Sequence, residues 1–278
     1  RHVKPNARHY KALILANTDN ERGSPELVRG LLEEMENNGI TADSGTLHGA
    51  LQVGYLVEAS YICSETNDAI PIQVLAVHPD YLLRQEILNK LRDRWLTLSP
   101  AGWHFVAAGL LRENQIELAL EHVALMQRKD IFVENWLHSI IVYTLCDHGE
   151  LDEVYDVMRA RVDQGHDMTH RLWMHVLTEA GKHGHYPMAH YVWRRMVELG
   201  YMHPLIEVCD DVLKMAANAG DTEMSSSVFR YLGESGIPLE RTQYERLVET
   251  HVTAGNLPAA FEALCTMHEA HIPLTDSS

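Results

Sequence analysis

The segment WRRMVELGY (193–201) carries a methionine, a glycine four residues later and an apolar residue directly after that glycine. Similar endings close five other segments: LLEEMENNGI (31–40), ALMQRKDI (124–131), DVMRARVDQGH (156–166), FRYLGESGI (229–237) and LCTMHEAHI (264–272). From Ile131 onward, the closing residues lie 35, 35, 36 and 35 residues apart. A constant period of this length is typical of stacked supersecondary units, so it predicts a repeat protein.

Apolar spacing inside each unit predicts two helices. In one unit, His138, Ile141, Val142 and Leu145 follow the i, i+3, i+4, i+7 pattern of a helix face, and Gly149 follows as a C-terminal stop. The corresponding stops in other units are Asn114, Gly184, Gly220 and Gly255, and the N-caps that follow two of them are Asp221 and Asn256. Each unit is therefore a predicted helix hairpin that must stack on its neighbours to bury its apolar face. The predicted fold is an all-α solenoid.

Particular residue types recur at fixed places in these units. The last unit shows Tyr244, Leu247, Gly255, Ala260, Met267 and Ile272, and an earlier one shows Trp173, Val176, Gly184, Ala189, Met196 and Gly200. These residues resemble the pentatricopeptide repeat family, in the style of its fungal mitochondrial members, over essentially the whole chain. The resemblance implies a right-handed α-solenoid of about seven 35-residue repeats and a mitochondrial location.

We expect one solenoid domain over 1–278, a fragment truncated at both ends. The predicted repeats span approximately 8–43, 44–99, 100–134, 135–169, 170–204, 206–240 and 241–275. The second is 21 residues too long, and the strand-forming segment 53–73 has that length. Removing it would restore a continuous first helix, so we hypothesise that it is a retained intron. A tolerated surface excursion is the alternative, because lengthening a loop costs little.

The resemblance also indicates which residues would face a ligand. Family members bind single-stranded RNA at one base per repeat, through a side chain early in the first helix and another at the repeat's end. The pairs at these positions are Lys11 with Asp43, His48 with Ser99, His104 with Glu134, Ser139 with Thr169, Met174 with Pro204, Asp210 with Glu240, and Glu245 with Thr275. None is a readable pair of the family, in which Thr, Ser or Asn combines with Asp, Asn or Ser.

Two functional interpretations stay open. The resemblance implies a concave face that binds single-stranded organellar RNA and supports the processing, stability or translation of transcripts. The alternative is a protein-binding scaffold, such as a respiratory-complex assembly factor or a mitoribosome-associated factor. The net charge of −16, from 23 basic and 39 acidic residues, favours the second because it repels polyanions.

Other kinds of site find little support in the sequence. No catalytic motif is present, and His183, His185 and His190 have no cysteine or carboxylate at ligand spacing, so we expect no enzyme activity, cofactor, metal or small-molecule substrate. No apolar run reaches the roughly 18 residues of a membrane span. The four cysteines are widely spaced and read as buried apolar residues. Residues predicted to be core by periodicity are Met35, Met126, Met158, Met196, Met267, Trp103 and Trp173.

Overall fold

The computed structural model describes residues 5–16, 24–42 and 81–270, and within these ranges the regular structure is entirely helical. The helices are α1 (Ala7–Ala16), α2 (Pro25–Asn37), α3 (Tyr81–Asp93), α4 (Pro100–Arg112), α5 (Ile116–Arg128), α6 (Asn135–His148), α7 (Leu151–Asp163), α8 (His170–His183), α9 (Tyr186–Val192), α10 (Ile206–Ala219), α11 (Thr222–Glu234), α12 (Arg241–Thr253) and α13 (Leu257–Glu269). A π-helical turn, Trp193–Val197, continues α9. Asp43, His48, Thr275 and the segment 53–73 lie outside the described residues.

Consecutive helices pack as hairpins, and hairpins pack on hairpins. Contacts within a hairpin join α1 to α2, α4 to α5, α8 to α9, α10 to α11 and α12 to α13. Between hairpins, the first helices α8, α10 and α12 pack in succession, and the second helix α7 contacts α9. This confirms an all-α helical-repeat solenoid.

The chain divides into two compact units, residues 1–141 and 142–278. In the first unit, α1, α2 and α3 share a core in which Tyr10, Ile14, Met35 and Ile87 are almost fully buried. In the second, the core includes Met158, Trp173, Met188, Trp193 and Leu213. The prediction of one domain over 1–278, with its seven repeat boundaries, stays a prediction.

The predicted helix stops and caps are confirmed. Every predicted stop has a positive φ, from 56° at Asn114 to 76° at Gly149. In this left-handed conformation glycine has no Cβ penalty, and asparagine tolerates it better than most residues. Asp221 accepts hydrogen bonds from the backbone N–H groups of Glu223 and Met224, both at 3.0 Å, and Asn256 caps α13.

The core prediction holds for the methionines and fails for one tryptophan. The five recurring methionines and Trp173 are all buried. Trp103 is only half-buried. Its ring lies 4.9 Å from that of His122, and the Lys129 ammonium sits 5.5 Å from its centroid. Side chains of the next helix therefore cover part of Trp103 and do not enclose it.

No helix among residues 5–16, 24–42 and 81–270 has the length and apolarity needed to cross a membrane.

Candidate ligand-binding face of the first helices

In the unit 142–278, the candidate contact residues line up on successive first helices. Met174 on α8, Asp210 on α10 and Glu245 on α12 occupy the same place in consecutive repeats, and all three are half-buried. Since α8 packs on α10 and α10 on α12, these side chains form a row across neighbouring helices. The row is one apolar and two acidic side chains.

In one repeat, the two members of a predicted pair contact each other. His104 is 3% exposed, and its Nδ1 donates to the backbone carbonyl of Pro100 at 2.7 Å. Its Nε2 accepts from the backbone N–H of Glu134 at 3.1 Å. The Glu134 carboxylate accepts from the indole N–H of Trp136 at 3.0 Å. Both ring nitrogens of His104 are therefore engaged, and the imidazole is not available to a ligand in this conformation.

In another repeat, a residue that sequence reasoning missed links the pair. Gln243, 2% exposed, donates from Nε2 to Asp210 Oδ1 at 2.7 Å. Its Oε1 accepts from the backbone N–H of Glu240 at 2.8 Å. A glutamine three residues after an acidic residue at a helix start is a capping signal, but only the fold brings Asp210 within its reach.

Four of the remaining candidates also use their polar groups locally. Ser139 donates to the carbonyl of Asn135 at 3.0 Å. Ser99 and Thr169 cap α4 and α8. Glu245 accepts from Arg241 Nε at 2.6 Å. Lys11 is half-buried on α1, and Pro204 is buried.

The charges of α8, α10 and α12 nearly balance. These helices carry the basic residues Arg171, Lys182, Lys214, Arg241 and Arg246 and the acidic residues Glu179, Glu207, Asp210, Asp211, Glu245 and Glu249. Several are paired within one helix, as in Arg246 with Glu249 at 2.7 Å and Lys182 with Glu179 at 2.7 Å. Arg171 and Lys214 are exposed on this layer. The acidity of the whole chain is therefore not concentrated on the first helices.

An aromatic pair lies between α6 and α8. The rings of Tyr143 and His175 are 4.6 Å apart, and Nε2 of His175 is buried with no hydrogen-bond partner in the described structure. Burial lowers the pKa of His175 and raises that of Tyr143. A neutral imidazole with an unused nitrogen is thus held next to a phenol ring. Neither residue occupies a predicted contact position, and nothing in the spacing singled them out.

The histidine-rich turn has a structural explanation. His185 caps α9, with Nδ1 accepting from the backbone N–H of Met188 at 3.2 Å and Nε2 donating to Asp152 at 3.0 Å. His183 lies 3.9 Å from Glu179. In the described ranges, no group of three or more metal-ligand side chains converges.

A sequence profile of one family, described as pentatricopeptide repeat-containing protein, matches residues 207–278. The matched segment contains the helices α10 to α13. Before it, α8 and α9 form a similar hairpin, with the left-handed Gly184 after the first helix. Residues 207–278 are thus similar to pentatricopeptide repeats. A search of curated proteins gave no match.

Solved structures of helical-repeat proteins are similar over most of the chain. The pentatricopeptide repeat protein PPR10 from maize is 17% identical, with a TM-score of 0.49, over 97% of this chain and 40% of that one. PPR10 in complex with an 18-nt psaJ RNA element is 16% identical, with a TM-score of 0.45, over 96% of this chain and 38% of that one. The nuclear proteinaceous RNase P 2 (PRORP2) from A. thaliana is 12% identical, with a TM-score of 0.49, over 68% of this chain and 38% of that one. The chain spans two fifths or less of each of these proteins.

Proposed function

We propose that this chain is a pentatricopeptide repeat protein that binds single-stranded RNA along its first helices. The similarity of residues 207–278 to that family supports the proposal, since such repeats bind about one base each. The exposed cations Arg171 on α8 and Lys214 on α10 would contact phosphates, and they lie on helices whose acidic residues are largely engaged by neighbouring side chains. Contact through backbone phosphates does not depend on a readable residue pair.

The cellular role that fits this activity is support of organellar transcripts. We propose a mitochondrial location and a part in transcript processing, stability or translation, on the strength of the family resemblance. Because the predicted pairs are unreadable and largely hydrogen-bonded within the chain, we expect weak base selectivity from these repeats alone.

A protein-binding scaffold is the second candidate. Asp210 and Glu245 stand where bases would pass, and carboxylates at those places oppose an RNA backbone unless cations neutralise them. A partner with an apolar centre and a basic rim would suit the same face. In that case the protein itself would act as a respiratory-complex assembly factor or a mitoribosome-associated factor.

Salt dependence separates the two candidates. If RNA binds through about three phosphates, its affinity should fall roughly tenfold or more between 50 and 200 mM salt. An interface with an apolar centre should change much less. The double variant Arg171→Glu, Lys214→Glu should abolish RNA binding, and Arg230→Glu, an exposed change on the second helix α11, is its control.

The cellular test is ultraviolet crosslinking of the full-length protein to RNA in isolated mitochondria, with sequencing of the bound RNA. A sharp footprint on one or a few transcripts is the expected result. Background RNA from an abundant and folded protein would overturn the proposal in favour of the scaffold.

A further inference from the structure

Two neighbouring repeats of the unit 1–141 end in turns that differ from the other described turns. The turn residue is left-handed in each of the six turns that the structure describes, and it is glycine at Gly39, Gly165, Gly200 and Gly236. In the two exceptions it is Trp95 and Asp130, with φ of 56° and 57°. A side chain in this conformation is strained, because its Cβ approaches the following carbonyl oxygen.

The tryptophan at this position gains nothing from the fold. Trp95 is 94% exposed, so its indole is scarcely buried against the protein. The turn itself closes through backbone bonds, from Trp95 N–H to the carbonyl of Arg92 at 3.0 Å and from Leu96 N–H to that of Leu91 at 2.9 Å. Glycine would make the same bonds without strain. A strained, exposed indole therefore points to a role outside the fold.

The charge of these two turns also departs from that of the later ones. Residues 92–97 and 127–132 together carry four basic side chains, Arg92, Arg94, Arg128 and Lys129, and two acidic ones, Asp93 and Asp130. The equivalent segments 162–167, 197–202 and 233–238 contain four acidic side chains and no lysine or arginine. A local excess of positive charge thus stands in a chain whose net charge is −16.

Aromatic and basic side chains are exposed together here. Arg92, Trp95, Arg128, Lys129 and Phe132 are all exposed, with Phe132 at 58%. Trp95 and Asp130 are equivalent residues of consecutive repeats. Because stacked helices are typically about 10 Å apart, we expect the two turns to be neighbours. We call these five exposed residues the turn patch.

We propose that the turn patch is a second contact surface for single-stranded RNA, separate from the first helices. Exposed aromatic rings that stack on bases, set among cations that contact phosphates, are the chemistry of single-strand binding. One base per repeat matches two neighbouring turns to two neighbouring nucleotides. The inference rests on the proposed function, because it assigns part of the same RNA strand to the turn patch.

The test uses the full chain and a fluorescent pool of single-stranded 20-nucleotide RNAs of random sequence, titrated by anisotropy. Trp95→Gly removes the indole and relieves the turn, so it should raise Kd about fivefold or more while the melting temperature stays the same or rises. Phe261→Ala, an exposed aromatic change on α13, should leave Kd unchanged. Arg92→Glu with Arg128→Glu should weaken binding and flatten the salt dependence, by about 0.7 in log–log slope per lost phosphate contact.

The outcomes separate this inference from the proposed function. If the wild-type chain does not bind RNA, both are overturned. If it binds, and Arg171→Glu, Lys214→Glu abolishes binding while Trp95→Gly changes Kd less than twofold, only the turn patch is overturned. If polyglutamate of equal charge competes as well as RNA at the patch, the patch binds an acidic protein segment, and the RNA assignment is overturned.

Discussion

Two half-buried histidines, His122 and His175, link the stability of this protein to pH. Burial lowers the pKa of His175 and of His122 from the ordinary 6.5, so the folded state favours their neutral forms. Below about pH 6.5 the unfolded chain binds more protons than the folded one, and stability is lost as pH falls towards the lower folded values. Above pH 6.5 this contribution is fully present.

We therefore predict that His175→Phe flattens the loss of stability at acid pH. It should also raise the free energy of unfolding at pH 7.5 by about 1 kcal/mol, because Nε2 of His175 is buried without a partner. Urea denaturation at pH 7.5 and 5.5 measures both effects. Part of the difference in the free energy of unfolding between pH 7.5 and pH 5.5 should remain, because His122 also contributes to it. If the variant shows the same difference as the wild-type chain, His175 does not contribute to the pH dependence.

The cysteines are predicted to differ in reactivity. Burial raises the pKa of Cys146 and of Cys209 to about 12, whereas Cys265 is exposed, so the expectation of a buried cysteine was wrong at that position. Because the thiolate is the reactive form, a thiol reagent at pH 8 should label Cys265 quickly and the other two only on unfolding. Cys63 lies outside the described residues, so the measurement is best made on Cys63→Ser. Three fast thiols would contradict the prediction.

At the scale of the element, contacts between helices decide what a local change does. Gly181 on α8 faces α10 so closely that a Cβ there would lie 2.9 Å from Cβ of Asp211. Gly233 on α11 has nothing within 4 Å of the corresponding position. Two helical glycines with the same intrinsic propensity thus have opposite surroundings.

We predict opposite effects for alanine at these two glycines. Gly181→Ala should lower the free energy of unfolding by about 1–3 kcal/mol, because α8 and α10 must separate. Gly233→Ala should raise it by about 0.5–1 kcal/mol, because alanine loses less backbone entropy in a helix. Chemical denaturation of both variants measures the difference. Equal effects would mean that α8 and α10 do not approach this closely.

One helical irregularity was not foreseen. The π-helical turn Trp193–Val197 is seen in the bond from Glu198 N–H to the carbonyl of Trp193 at 3.1 Å. The buried Trp193 indole donates to Ser227 Oγ at 3.1 Å, and Ser227 donates to Glu198 at 2.7 Å. Ser227 lies 34 residues away in the next repeat, so a periodic pattern within one helix carries no sign of it.

At the scale of the whole molecule, the segment 53–73 is the main departure from the repeat. It lies outside the described residues, and the sequence places it inside a predicted first helix. If it is foreign to the fold, its deletion should raise the melting temperature, since the interrupted helix could close. A calorimetric scan of both chains measures this, and an unchanged or lower melting temperature would count against the insertion.

Local sequence signals determined much of this protein. The helix stops and the caps at Asp221 and Asn256 depend on residues within one or two turns of each other, and the 35-residue period is the recurrence of these local signals along the chain. Backbone conformation and capping act over that short range, so the repeat and its resemblance to a known family could be recognised from the sequence alone. The mitochondrial location rests on the family resemblance and stays a prediction.

Only the tertiary structure decided which side chains are available to a ligand. His104 accepts a hydrogen bond from the backbone of Glu134, 30 residues away, and Asp210 accepts one from Gln243, 33 residues away. Periodicity predicted Trp103 to be core, yet it is only half-buried, and Trp95 is exposed at a turn position that is glycine in most other described repeats. Hydrogen-bond partners and burial come from neighbouring repeats, and packing between repeats depends on shapes that periodicity does not encode.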